Sequence, residues 1–94
     1  METNETYKQK QEISSRKLGN EVMLYDSKND KVHVLNETGA LVWSLIDGKN
    51  NIQSIINHFL KEFPKTNPAE VIKDIAEITD KLAAEGLITP ITLN

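Results

Sequence analysis

Two patterns of apolar residues divide this chain. Up to Leu35 they gather in short β-favouring runs, Val22 to Tyr25 and Val32 to Leu35, and from Leu41 onward they recur three and four apart. The first pattern sets successive side chains on opposite faces of a β-strand, whereas the second gathers them on one side of a helix. A short strand is predicted over Ile13 to Leu18, followed by a turn at Gly19-Asn20 and a second strand over Glu21 to Tyr25. Val22 and Leu24 take one face of that strand, Met23 and Tyr25 the other. Asp26 to Asp30 (DSKND) carries side chains that bond their own backbone in turns, so a hairpin leads into a third strand, Lys31 to Leu35. There Val32 and Val34 share one face, His33 and Leu35 the opposite one.

Three helices follow. The first begins at Asn36 or Thr38, either of which can cap free amides, and Leu41 with Leu45 and Val42 with Ile46 form i,i+4 pairs before Gly48 permits a left-handed turn at its end. The second spans about Ile52 to Phe63 on Ile52, Ile55, Ile56, Phe59, Leu60 and Phe63, and Pro64 stops it. Asn67-Pro68-Ala69-Glu70 then opens the third with a capping Asn, a Pro at the first helical position and a Glu able to reach back to the cap. That helix runs to about Glu85 on Val71, Ile75, Ile78 and Leu82, with Ile72, Thr79 and Ala83 beside the stripe. Gly86-Leu87 suits a C-terminal motif in which Leu87 packs back on Leu82.

Strands followed by helices in 94 residues give an α+β domain, a three-stranded antiparallel sheet with three helices packed on one face. Residues 12–88 form the domain, 1–11 are polar and expected to be a mobile tail, and 89–94 form a C-terminal tail. With no cysteine there are no disulfides or thiolate sites, and the expected compartment is the cytoplasm. No apolar run approaches a membrane span. The net charge of −3 comes without any Lys or Arg block, which speaks against nucleic acid.

Candidate chemistry is sparse. His33 and His58 stand alone, and neither has a companion at ligand spacing. Glu70, Asp74 and Glu77 follow one side of the third helix, but Lys73 and Lys81 lie among them, the pattern of a solvated face. Ser14, Ser15, Ser44 and Ser54 sit in no nucleophile turn, the glycines form no phosphate loop, and Trp43 lies on an apolar helix that belongs in the core. No catalytic residue, metal ligand or cofactor is expected. What the pattern does offer is an edge. The strand Lys31 to Leu35 has no Pro and a single charge, so nothing blunts its unpaired main-chain groups.

Leu35-Asn36, Thr38-Gly39-Ala40, Val42-Trp43 and Leu45-Ile46-Asp47-Gly48 together resemble the "LN-x-T-(G/A)-x-x-(I/V)-W-x-L-(I/C)-D-G" core of the PqqD family. Ile52 to Phe63, Val71 to Leu82 and Glu85 to Ile88 resemble that family's later segments in order. The resemblance implies a winged-helix-like RiPP recognition element, a stand-alone protein that holds the leader of a ribosomally made precursor peptide for a modifying enzyme, often a radical S-adenosylmethionine enzyme. It also implies where the leader lies, paired as an added strand on Lys31, Val32, His33, Val34 and Leu35 and set along the third helix near Ile72, Ile75, Ile78, Thr79 and Leu82. Of these, Ile72 and Thr79 are expected to be more accessible than Ile75 and Leu82. A monomer or weak dimer is expected. The alternative is a winged-helix DNA-binding regulator, against which stand Glu70, Asp74, Glu77, Asp80 and Glu85 on the third helix, opposed only by Lys73 and Lys81.

Overall fold

The computed structural model describes residues 3–91. Strands β2 (Ile13–Leu18), β3 (Glu21–Asp26) and β4 (Lys31–Leu35) form an antiparallel sheet in that spatial order. They join through Gly19-Asn20 and through Ser27 to Asp30, where Asp30 takes a left-handed φ of 53° that Asp tolerates. The register pairs Leu24 with His33 and Val22 with Leu35 on the inner face, Met23 with Val34 and Tyr25 with Val32 on the outer one. Leu24 is buried, whereas Val32 and Val34 are 57% and 59% exposed.

Asp26 fastens the second turn. Its buried carboxylate accepts hydrogen bonds from Asn29 Nδ2 (2.8 Å), Lys28 N (3.1 Å) and Asn29 N (3.2 Å). The Asn29 side-chain bond, with the two amides behind it, holds the carboxyl below its ordinary range. Asp47 repeats the device on Lys49 and Asn50, with the same result. A carboxyl whose pKa is depressed on folding stabilises the fold fully above its unfolded value, about 3.9, and the contribution disappears as pH falls through the lower folded value. Thermal melts from pH 7 to pH 2 should therefore show an acid limb below about pH 4. Asp26→Ala should lower the neutral-pH melting temperature and flatten that limb, and an unchanged limb would rule out this source of acid sensitivity.

The helices are α1 (Glu37–Leu45), α2 (Ile52–Glu62) and α3 (Pro68–Ala84). Asn36 caps the first, accepting from Gly39 N at 2.8 Å. This helix ends sooner than the pattern predicts, with Ile46 N bonded to Val42 and Trp43 carbonyls. Gly48, at φ 82°, serves the Asp47 turn beyond it and not the helix terminus. Asn51 caps α2 through Ser54 N, and Asn67 caps α3 through Ala69 N. At the far end of α3, Gly86 adopts φ 74°, its N–H donates to the Ala83 carbonyl, and Leu87 N donates to the Leu82 carbonyl at 3.0 Å. These are the two bonds of the predicted terminal motif, and Leu87 is buried by it.

The principal departure is a second sheet. Strand β1 (Thr6–Gln9), within the expected tail, runs antiparallel between β5 (Asp47–Asn51) and β6 (Ile88–Pro90). The polar segment is held by main-chain pairing and by side chains. Tyr7 packs against the core and donates to Glu5 at 2.5 Å, a bond that pushes its hydroxyl pKa up to about 12, and Gln9 Nε2 donates to the Trp43 carbonyl. The parts of the expected tails at 1–2 and 92–94 lie outside the described residues. Leu24, Val42, Trp43, Ile46, Ile55, Ile56, Ile75 and Leu82 form the core between the helices and the inner face of the β2-β3-β4 sheet. Among the described residues no helix is long and apolar enough to cross a membrane.

Candidate functional site

Because β4 is last in its sheet, one of its sides has no partner strand among the described residues. The register decides which residues face that side. In a two-residue hairpin the closing pair, here Leu18 with Glu21, exchanges main-chain bonds, and bonding then alternates along the strand. Glu21, Met23 and Tyr25 accordingly bond toward β2, while Val22, Leu24 and Asp26 bond toward Leu35, His33 and Lys31 of β4. Val32 and Val34 are left with their N–H and C=O groups directed at the open edge.

Beside this edge lies a cleft of about 250 Å3 between β4 and the C-terminal half of α3. His33, Val34 and Leu35 form one wall, Ile78, Lys81, Leu82 and Glu85 the other, and Asn36, Gly39 and Leu87 complete it. The Schellman-type turn positions Leu87, and the Asn36 cap brings the first turn of α1 against the end of β4. The lining is largely apolar, with Lys81 and Glu85 as the charged groups. His33 Nε2 is buried with no hydrogen-bond partner among the described residues. Such a site can accept an extended chain, offering main-chain bonds along one side and apolar contacts along the other. Among the described residues no group of His, Cys, Asp and Glu is arranged to hold a metal ion.

The residues singled out from the sequence divide. His33, Val34, Leu35, Ile78 and Leu82 come together in the cleft. Lys31 and Val32 lie on the same strand but not in the lining, and Val32 faces the outer side. Ile75 is wholly buried in the core. Thr79, expected to be accessible, is fully buried, and its hydroxyl has no partner among the described residues. Ile72 is 43% exposed, more than Ile75 or Leu82, yet it does not line the cleft. Six residues of α-helix turn it about 120° from Ile78, onto another flank. Asn36, Gly39, Lys81, Glu85 and Leu87 were missed. Lys81 and Glu85, three and seven positions after Ile78, were discoverable from helical phase once Ile78 was taken as the reference.

A buried hydroxyl without a partner costs on the order of 1–3 kcal/mol, so Thr79→Val should stabilise the fold by about 1 kcal/mol. For a domain of this size that is roughly 4–8 °C in melting temperature. A lower melting temperature would mean that the hydroxyl is bonded in solution.

The architecture is shared with two solved structures. TbiB1 in complex with the TbiA(beta) leader peptide superposes with a TM-score of 0.80 at 20% identity, covering 92% of this chain and 99% of that one. Lasso peptide synthetase B1 complexed with the leader peptide gives 0.76 at 21% identity, covering 89% and 98%. No curated relative matches the chain. The family model for PqqD, coenzyme PQQ synthesis protein D, matches residues 21–88, a span holding the strand, the helices and every residue of the cleft; the chain belongs to the PqqD family.

Proposed function

We propose that this protein binds the leader segment of a ribosomally synthesised precursor peptide and presents the rest of that peptide to a separate modifying enzyme, with no catalysis of its own. The observation that carries the reading is the outward-facing main chain of Val32 and Val34 alongside a cleft floored by Leu35, Ile78, Leu82 and Leu87. Strand addition supplies hydrogen bonds that ignore sequence, and the cleft selects among side chains. The two leader-bound proteins of the same fold support it. The resemblance to the PqqD family makes a radical S-adenosylmethionine enzyme the first partner to try. Affinity in the micromolar to nanomolar range, about −8 to −12 kcal/mol, is expected for an ordered segment. The acidic character of α3 weighs against a nucleic-acid partner.

The test is an amide NMR titration of the full chain with the leader encoded beside its gene. Shifts should concentrate at residues 31–35 and 78–87 and spare Ile13–Leu18. Saturable binding that leaves 31–35 unmoved would refute strand addition.

A further inference from the structure

The flank of α3 that lines the cleft carries a second hollow nearer the start of the helix. Past the first turn of α1 lies a second recess of about 230 Å3, walled by Phe59 and Phe63 of the α2 end, Val71, Asp74 and Ile75 of α3, Thr38 of α1 and Thr66 of the α2–α3 connection. Thr38 and Ile75 here stand next to Gly39 and one turn before Ile78 in the cleft, so the two hollows share the same flank of α3 and the same helix start. Phe59 is buried, but Phe63, its ring 5.9 Å from that of Phe59, is 48% exposed. A large aromatic left half in water beside a mostly apolar recess, with Asp74 at its rim, suits a binding subsite.

We infer that this recess takes a second apolar side chain of the same bound peptide, aromatic or branched aliphatic, from a position outside the stretch that pairs with β4. The inference rests on the leader-binding reading above. Their shared flank of α3, with Thr38 beside Gly39 and Ile75 one turn before Ile78, favours one peptide over a separate partner, because a chain leaving the β4 edge toward the start of α3 would meet this recess next. The α3 residues lining the two hollows are centred about eight positions apart, roughly 12 Å of helix, which an extended peptide spans in about four residues. Recognition would then depend on two apolar anchors at that spacing, with sequence-tolerant main-chain pairing at one of them.

Random 24-residue peptides displayed on phage and selected on the full chain provide the probe. A selected peptide that shifts the amides of 31–35 is synthesised, and its affinity is measured against wild type, Phe63→Ser and Phe63→Leu, each with and without Ala at its candidate second anchor. Phe63 follows the last turn of α2 and is half exposed, so both variants should keep the wild-type amide spectrum, and Phe63→Leu retains an apolar wall if Phe63→Ser does not fold. The expected result is a loss of about tenfold for Phe63→Ser, a similar loss for the peptide Ala variant, no further loss when the two are combined, and near wild-type affinity for Phe63→Leu. Additive losses, or unchanged affinity for Phe63→Ser while residues 31–35 still shift, would overturn the subsite and leave the leader-binding reading standing. If no selected peptide moves 31–35, both fall. A change in sedimentation of the unliganded protein on Phe63→Ser would assign the recess to a second copy of the chain and overturn the inference.

Discussion

Val34→Pro should abolish leader binding, by about 100-fold or more, in a protein that still folds. The expectation follows from the direction of one N–H. Alternation from the Leu18–Glu21 closing pair aims the Val34 amide at the open edge, so Pro at this position removes a donor needed by an added strand and takes nothing from the β3–β4 ladder. The ring also occupies the space of the incoming backbone, and a peptide carbonyl left buried without a donor costs on the order of 1–3 kcal/mol by itself. Edge strands are where sheets tolerate Pro, and the preceding residue, His33, is already extended as Pro requires. His33→Pro is the informative contrast. Its N–H bonds inward to Leu24, so that variant should lose stability before it loses anything specific to binding. Calorimetric titration of leader into each variant, with circular dichroism to establish folding, separates the two effects. Wild-type affinity in folded Val34→Pro would sink the strand-addition mechanism.

The hairpin and the helix caps were legible because their causes are local. DSKND closes on its own Asp, Asn36 and Asn67 cap amides two or three residues away, and Gly86-Leu87 ends α3 within one turn. The second sheet was not legible. TYKQ and DGKNN carry no alternating apolar pattern, and their pairing joins residues more than 35 positions apart through backbone groups that sequence does not vary. The end of α1 was misplaced for a related reason. Asp47 draws the next amides into its own turn and stops the helix before Gly48 is reached. Within the candidate site the strand was readable, but the helix face was only half so. The apolar stripe of α3 is wide enough to serve core and cleft together, and which flank meets β4 is a tertiary fact. Val71, Ile75, Thr79 and Leu82 turn toward the core, Leu82 reaching the cleft as well, and Ile78, Lys81 and Glu85 meet the strand.

That division sets the second large effect. Ile78→Asp should weaken leader binding by at least tenfold and up to about 100-fold, whereas Ile72→Asp should stay within about twofold of wild type. Ile78 is partly buried against the core and lines the cleft, so a bound peptide would cover a carboxylate there and strip it of water, a cost that Lys81 three positions on offsets only in part. Ile72 exchanges a half-exposed methyl surface for a solvated charge on a flank that does not line the cleft. Because Ile78 also touches the core, Ile78→Ala serves as the milder variant. It should still cost several-fold in affinity through lost apolar contact, with little change in the inward-facing pairs of the sheet. The comparison is decisive through its ordering, since both aspartates add the same charge to the same helix and any long-range electrostatic effect is common to them. If Ile72→Asp proves the more damaging of the two in folded proteins, the peptide lies along the other flank of α3, and the cleft beside β4 is not its seat.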